Sequence, residues 1–299
     1  MAANAITSPL EIRAALPSEA AVARRLVPEV FAVEAAPDAL LVAHCADVPM
    51  PLGVCAIAWR PWGKPAGFPL HVHVDGTARR QGIGRALVRA AAQLCRDDTD
   101  RFHGWDAVVE GSEADTFARA VGFGVHRRTH FFDADLAACQ ALVEPIHTRL
   151  QAYEAIPSNA TVVALGDAPA REVARLVSDT FDSPIHEVLA NLQRPSGGFD
   201  PRYSFVLMVD GAVGGALLQR RIGDVAQVEV SVIAPALQCG WAIVVLLREA
   251  AIRGVAAGAT HIRFRCDDGV HDTINLARRV RARLARTAVE LSAPLRALL

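Results

Sequence analysis

Apolar positions along this chain switch between a period of two and a period near 3.6, and the switches mark out its elements. "EIRAAL" alternates as a short strand, and Ser18 is the expected N-cap of a helix running toward Val27 and stopped by Pro28. "ALLVAHC" and "LGVCAIAWR" read as strands joined by the turn-rich "ADVPMP", and "PLHVHV" as a further strand. From about Ile83 to Cys95 the pattern becomes that of an amphipathic helix. "WDAVVE" then reads as a strand, "EADTFARAV" as a helix and "HRRTHFF" as a strand. The order is β-α-β-β-β-α-β-α-β.

The stretch "LAACQALVEPIHTRLQAYEA" is helical with a proline interruption, and "IPSNA" comes next with the residues of a linker. After it the plan repeats. "TVVAL" is a strand, "AREVARLVSDTF" a helix, and "YSFVLMVDGAVGGALLQRR" a hairpin around Asp210-Gly211. "AQVEVSVIA" is a strand, "LQCGWAIVVLLREAAIRG" a helix, "THIRFRC" a strand and "TINLARRVRARLAR" a helix. A repeat this long fits a duplicated domain rather than a solenoid. The expected division is residues 1–138, a linker helix over 139–158, and 159–299, each domain being α/β (α+β). At 299 residues the chain is long enough to bury two cores.

A net charge of −1 gives no global reason to expect nucleic acid or an anionic membrane as partner. In the last predicted helix, Ile274, Ala277, Val280, Leu284, Ala288 and Leu291 recur at helical spacing, so its five arginines read as an ordinary solvent face. The longest apolar run contains Arg248, Glu249 and Arg253, which predicts a buried helix and no membrane span. The six cysteines show neither a C-x-x-C pair nor zinc spacing, so free thiols in a reducing compartment and no metal site are expected. The N-terminal residues lack a basic start followed by an apolar core, and the expected location is cytoplasmic.

The informative stretch is "HVHVDGTARRQGIGRALVRAAAQLC", His71 to Cys95. A strand runs into paired arginines, then a glycine turn, then a helix start, which gathers free N–H groups and a helix dipole at one spot. A dinucleotide fingerprint fails because Leu87 stands where its third glycine belongs, and a Walker A loop fails for want of G-K-[ST]. Arg79-Arg80-Gln81-Gly82-Ile83-Gly84 does match R/Q-x-x-G-x-G/A.

On this loop, the element order and Gly122-Phe123 after the late helix, residues 10–133 resemble the GCN5-related N-acetyltransferase (GNAT) superfamily. The resemblance implies a tandem GNAT protein in which each domain has a mixed, mostly antiparallel sheet with one splayed parallel strand pair, flanked by helices. It implies acetyl-CoA as cofactor, held by the N–H groups of Gln81, Gly82, Ile83, Gly84 and Arg85, with Arg79 and Arg80 adding charge and Val72 and Val74 lying along the pantetheine arm. The implied reaction is acyl transfer to a small-molecule amine by direct attack on the thioester, in a monomer or homodimer.

Proton transfer is where the chain departs from the family. The late-helix tyrosine is replaced by Ala118, and the asparagine near that helix's start by Gly111. Candidate bases are His71 and His73, on one face of their strand, and Glu110 at the end of the next. In the second half, Gly240 and Ala242 align with the loop's small residues while Leu237 replaces its arginine and Trp241 crowds the turn, so that half is expected to have lost acyl-CoA binding. Two alternatives stay open: a non-catalytic acyl-CoA-binding regulator, and a tandem enzyme whose C-terminal half is active, as in mycothiol synthase.

Overall fold

The computed structural model describes residues 9–26, 39–58, 67–104, 107–194, 198–238 and 240–299. They form two compact units, Met1–Arg128 with Ala288–Leu299, and Thr129–Thr287. This differs from the division expected at 138 and 159. The last twelve residues fold with the first unit, and the supposed linker helix belongs to the body of the second.

In the first unit β1 (Leu10–Ala14), β2 (Ala39–Cys45), β3 (Val48–Ile57) and β4 (Phe68–Val74) pair antiparallel in sequence order. A 3-10 turn, Pro17–Glu19, leads into α1 (Ala20–Leu26). The start of this helical stretch is fixed by Glu19 and not by Ser18: the Glu19 carboxylate accepts from the Leu16 N–H at 2.8 Å and from both arms of Arg13 at 2.8 and 2.9 Å. The expected end of the helix at Val27–Pro28 lies outside the described residues.

After β4 come α2 (Ile83–Leu94), β5 (Arg101–Gly104), the short β6 (Val108–Val109), α3 (Glu113–Ala120) and β7 (Gly124–Asp135). β5 pairs parallel with β4, Phe68 to Leu70 lying opposite Phe102 to Gly104. α2 buries Ile83, Leu87, Val88, Ala91 and Ala92 against Leu41, Cys55, Ile57, Leu70 and Phe102. Each large side chain so buried contributes about 1.5–3 kcal/mol. α1 covers the opposite face, with Ala23 on Val42, Val54 and Ala56.

The far edge of the first unit's sheet comes from the chain's C-terminus. β13 (Arg283–Pro294) places Ser292 to Pro294 against β5, and Ala288 and Val289 against β6. Val289, Leu291, Ala293, Leu295 and Leu298 are buried in the core with Phe102 and Phe123.

The second unit repeats the plan. Its strands run in the order β7 (from Thr129), β12 (His261–Asp267), β11 (Val225–Ile233), β10 (Ala212–Ile222), β9 (Phe205–Val209), β8 (Ala160–Ala164). β11 and β12 are the parallel pair, Val225 to Gln227 opposite His261 to Arg263. The β9–β10 hairpin turns at Asp210 and Gly211, φ 53° and 78°, the left-handed pair that "DG" predicts. α4 (Leu136–Ala152) runs unbroken through Pro145 and packs along α7 (Trp241–Ala256), where Arg248 grips Glu144 at 2.8 and 2.9 Å. α5 (Ala170–Phe181) and α6 (Ile185–Gln193) lie on the other face, against Ala216, Leu218 and Val232.

The predicted last helix is α8 (His271–Arg279) alone. Arg281 turns the chain at φ 53° and leads it into β13. Leu284 is exposed whereas Ala288 and Leu291 are buried as strand residues, so the helical spacing across these positions is a coincidence. Cys55, Cys95, Cys139 and Cys266 form no disulfide; Cys239 lies outside the described residues. Burial pushes the Cys95 thiol up to about 11 and that of Cys55 higher still.

Candidate functional site

The loop between β4 and α2 is where the sequence gathers its chemistry. The Asp75 carboxylate accepts from the Thr77 N–H at 2.8 Å and caps a 3-10 turn, Gly76–Ala78. The chain then passes through Arg80 at φ 66° to Gly82 at φ 83°, the N-cap of α2. A left-handed N-cap explains this glycine, and a Cβ there would meet nothing within 4 Å, so the space in front of it is open. No side chain caps the helix, leaving its first N–H groups facing that space.

Gly84 has a packing role as well. A Cβ on it would stand 2.9 Å from Cε2 and Cζ of Phe117 on α3. The missing side chain lets α2 and α3 close on each other.

The arginines divide. Arg79 donates to the Val74 carbonyl at 3.2 Å and to Glu113 at 3.1 Å, and Arg85 donates to the Ala120 carbonyl at 3.1 Å, so both brace the loop against α3. Among the described residues Arg80 makes no such bond, and with Gln81 it lies exposed.

Hydrogen bonds fix which way β4 faces. The Asp75 N–H donates to Leu52 at 2.9 Å and the Pro69 carbonyl accepts from Ala58 at 3.1 Å, so odd-numbered peptide groups turn toward β3. Leu70, Val72 and Val74 therefore turn theirs the other way. On that side β5 pairs with β4 through Leu70, and after it β6 pairs with β13. Val72 and Val74 thus turn their N–H groups to the β5 side of β4, beyond the Leu70–Gly104 pairing of the described residues.

His71 and His73 stand on the α1 face, beside their β3 neighbours Ala56 and Val54, and are half-buried. Glu110 has a structural occupation: it accepts from Arg128 at 2.9 Å and lies 3.7 Å from Arg119. Both contacts tie Glu110 to β7 and α3. Ala118 packs into the core, Gly111 donates its N–H to the buried Asp115 at 2.8 Å, and both tyrosines belong to the second unit. Among the described residues no group of three or more His, Cys, Asp or Glu is placed to hold a metal ion, and no helix is long and apolar enough to cross a membrane.

The second unit's loop is a shortened copy. The Ala234 N–H donates to Gly214 at 2.9 Å as Asp75 does to Leu52, and the Gln238 side chain reaches the Ile233 carbonyl at 3.4 Å as Arg79 reaches Val74. Gln238, not Leu237, therefore takes the place of Arg79, because one residue fewer separates the 3-10 turn Pro235–Leu237 from the helix. Gly240 repeats the left-handed cap at φ 90°. Trp241 does not crowd the turn; it is 6 % exposed and packs inward with Phe205, Leu207 and Leu246. Counting back from Ala234, Val232 and Val230 stand where the first unit has His73 and His71.

Residues 16–123 match the family model "Acetyltransferase (GNAT) family". No curated protein matches the chain. Among solved structures, a GCN5-related N-acetyltransferase from Sphaerobacter thermophilus is similar over 97 % of each chain, with a TM-score of 0.59 and 14 % identity. A tandem GNAT protein from the clavulanic acid biosynthesis pathway is similar over 96 % of this chain and 99 % of its own, at 0.59 and 17 %. A glucosamine N-acetyltransferase region in a fungal multi-domain GH3 β-N-acetylglucosaminidase is similar over 95 % of this chain and 38 % of its own, at 0.65 and 11 %. At these identities the likeness is one of fold. Residues 16–123 of the first unit thus match a GNAT acetyltransferase domain, which supports acyl transfer as the class of chemistry, and the chain as a whole has a fold similar to that of a tandem GNAT protein.

Proposed function

We propose that the chain transfers the acetyl group of acetyl-CoA to the amine of a small molecule, the donor being held by the first unit and the amine attacking the thioester directly. The observation that carries this reading is a coincidence at the end of β4. An uncapped helix N-terminus with a left-handed glycine follows a strand whose Val72 and Val74 N–H groups turn to the β5 side, beyond the described pairing of Leu70 with Gly104. That pair of features fits coenzyme A, which has an anionic pyrophosphate at one end and a peptide-like arm leading from it.

When bound, acetyl-CoA would supply the acyl thioester, with the coenzyme A thiolate as a tolerable leaving group. On this reading the N–H groups from Gln81 to Arg85 hold the pyrophosphate, with Arg80 adding charge. Val72 pairs with the pantetheine arm as a neighbouring strand would. The Val74 N–H donates to the thioester carbonyl oxygen, where negative charge develops during attack. His73 or His71 takes the proton from the incoming amine, since Glu110 is engaged elsewhere.

Two observations bear on the other readings. Ala118 in place of a tyrosine favours a protein that binds acyl-CoA without turnover. Val230 and Val232 in place of histidines count against activity in the second unit. An amine panel of amino sugars, amino acids and polyamines, monitored by thiol release, tests the proposal. We expect turnover with at least one amine, and a loss in kcat of about 10²-fold or more in His71→Ala or His73→Ala with acetyl-CoA affinity kept. Acetyl-CoA binding without turnover on any amine, or full activity in both variants, would overturn it.

A further inference from the structure

In the second unit, four polar side chains stand directly opposite one another across four adjacent strands: Arg220 on β10, Gln227 on β11, Arg263 on β12 and Asp133 on β7. Their sequence neighbours Ala226, Ile262 and Ala134 turn to the other face and enter the core beneath α4 and α7. One register step away Arg265 lies opposite Phe131, with the Arg286 guanidinium 4.3 Å above that ring. Arg265, Arg283 and Arg286 are exposed. The face therefore carries five guanidinium groups against the three carboxylates of Asp133, Glu229 and Asp267.

Four of the five arginines are braced rather than loose. Asp133, 11 % exposed, accepts from Arg263 at 3.2 Å and Arg283 at 3.4 Å through the same oxygen. Arg286 rests on Phe131, and Arg220 stands 5.8 Å from the Phe199 ring centroid. Glu229 accepts from Gln227 at 2.7 Å and is 3.9 Å from the Arg220 Nε, a buried donor without a hydrogen-bond acceptor. Side chains held in place lose less entropy when they take a ligand, and a planar fork matches a carboxylate or phosphate in bidentate fashion. A sheet face with this much uncompensated charge is poorly suited to packing and well suited to an anion.

We propose that this face of the second unit binds a small molecule bearing more than one oxyanion group, a polycarboxylate or a phosphate ester. The proposal is independent of the cofactor loop, and its test reads binding alone.

Calorimetric titration of the full chain at low ionic strength, with citrate and with inorganic phosphate as probes, decides it. We expect one site per chain for the preferred probe, with the two arms telling carboxylate from phosphate. Affinity should fall about tenfold in Arg263→Gln, the loss of one charge-assisted contact. It should fall likewise in Arg265→Gln/Arg286→Gln, whose exposed positions leave the fold intact, and be unchanged in Gly82→Trp. No heat from either probe up to about 1 mM, or wild-type affinity in both arginine variants, would overturn the proposal. So would a single-stranded oligonucleotide that binds at least about tenfold tighter than either probe at equal salt and depends on the same arginines, since that is the signature of a nucleic-acid surface.

Discussion

Gly84→Ala probes the contact that closes α2 on α3. Its φ is not positive, so the backbone itself accepts alanine, and the first turn of a helix gains up to about 1 kcal/mol from losing a glycine. Against this, the new Cβ meets Cε2 and Cζ of Phe117 at 2.9 Å and Val74 Cγ2 at 3.5 Å. Overpacking of this kind costs about 1–3 kcal/mol. The net expectation is a loss of about 1–2 kcal/mol, read as a fall in Tm of about 2–8 °C. Phe117→Leu removes the ring atoms in question. In that background Gly84→Ala should be neutral or stabilising, giving a coupling of about 1 kcal/mol or more in a double-mutant cycle by urea denaturation. Equal costs for Gly84→Ala in the two backgrounds, within about 0.5 kcal/mol, would refute packing against Phe117 as the reason for this glycine.

The other predictions concern the edges of the first unit. The Arg13 fork holds the Glu19 carboxyl down to about 2, below its unfolded value, so the pair stabilises fully above about pH 4.5 and is lost as pH falls through the folded value. Glu19→Gln should cost about 1–3 kcal/mol at pH 7, and the gap to wild type should narrow below pH 4.5 in urea titrations taken toward pH 2.5; a pH-independent gap would contradict this. A chain ending at residue 287 loses Val289, Leu291, Ala293, Leu295 and Leu298 from the first unit's core, each large side chain about 1.5–3 kcal/mol. Residues 1–138 expressed alone, which lack the same strand, should show no cooperative unfolding by circular dichroism. A cooperative transition would show that the C-terminal strand is dispensable.

How far the sequence revealed this fold depended on whether each element's period was set by its own burial. α2 and α5 bury one clean face, and their patterns name them. β5 was hidden because only Phe102 of "RFHG" is fully buried and a polar "DDTD" precedes it; the strand is defined by its neighbours, and residues 105–106 of the predicted "WDAVVE" lie outside the described residues. β13 reads as helix because the two helical positions Ile274 and Ala277 of α8 are succeeded by apolar residues that happen to continue the spacing. The signal that could have corrected this was the repeat itself, since "HRRTHFF" of the first half demands a counterpart strand at the end of the second.

The loop was legible because a left-handed cap, an uncapped helix and an arginine must each appear as a residue type in the sequence. The roles within it were not. Whether a glycine is kept for its φ, as at Gly82, or for a neighbour's ring, as at Gly84, depends on a residue thirty-three positions away. The engagement of Glu110 by Arg128 and Arg119, and the row from Arg220 to Asp133, likewise exist only once strands distant in sequence are paired.

Whether the first unit holds the acyl donor is decided by calorimetric titration of the full chain with acetyl-CoA. Gly82→Trp and Gly240→Trp make a matched pair, since both glycines are left-handed helix caps, at φ 83° and 90°, with open space in front. We expect one site per chain, lost in Gly82→Trp and retained in Gly240→Trp. No binding, or a site lost only in Gly240→Trp, would show that the first unit is not the donor site.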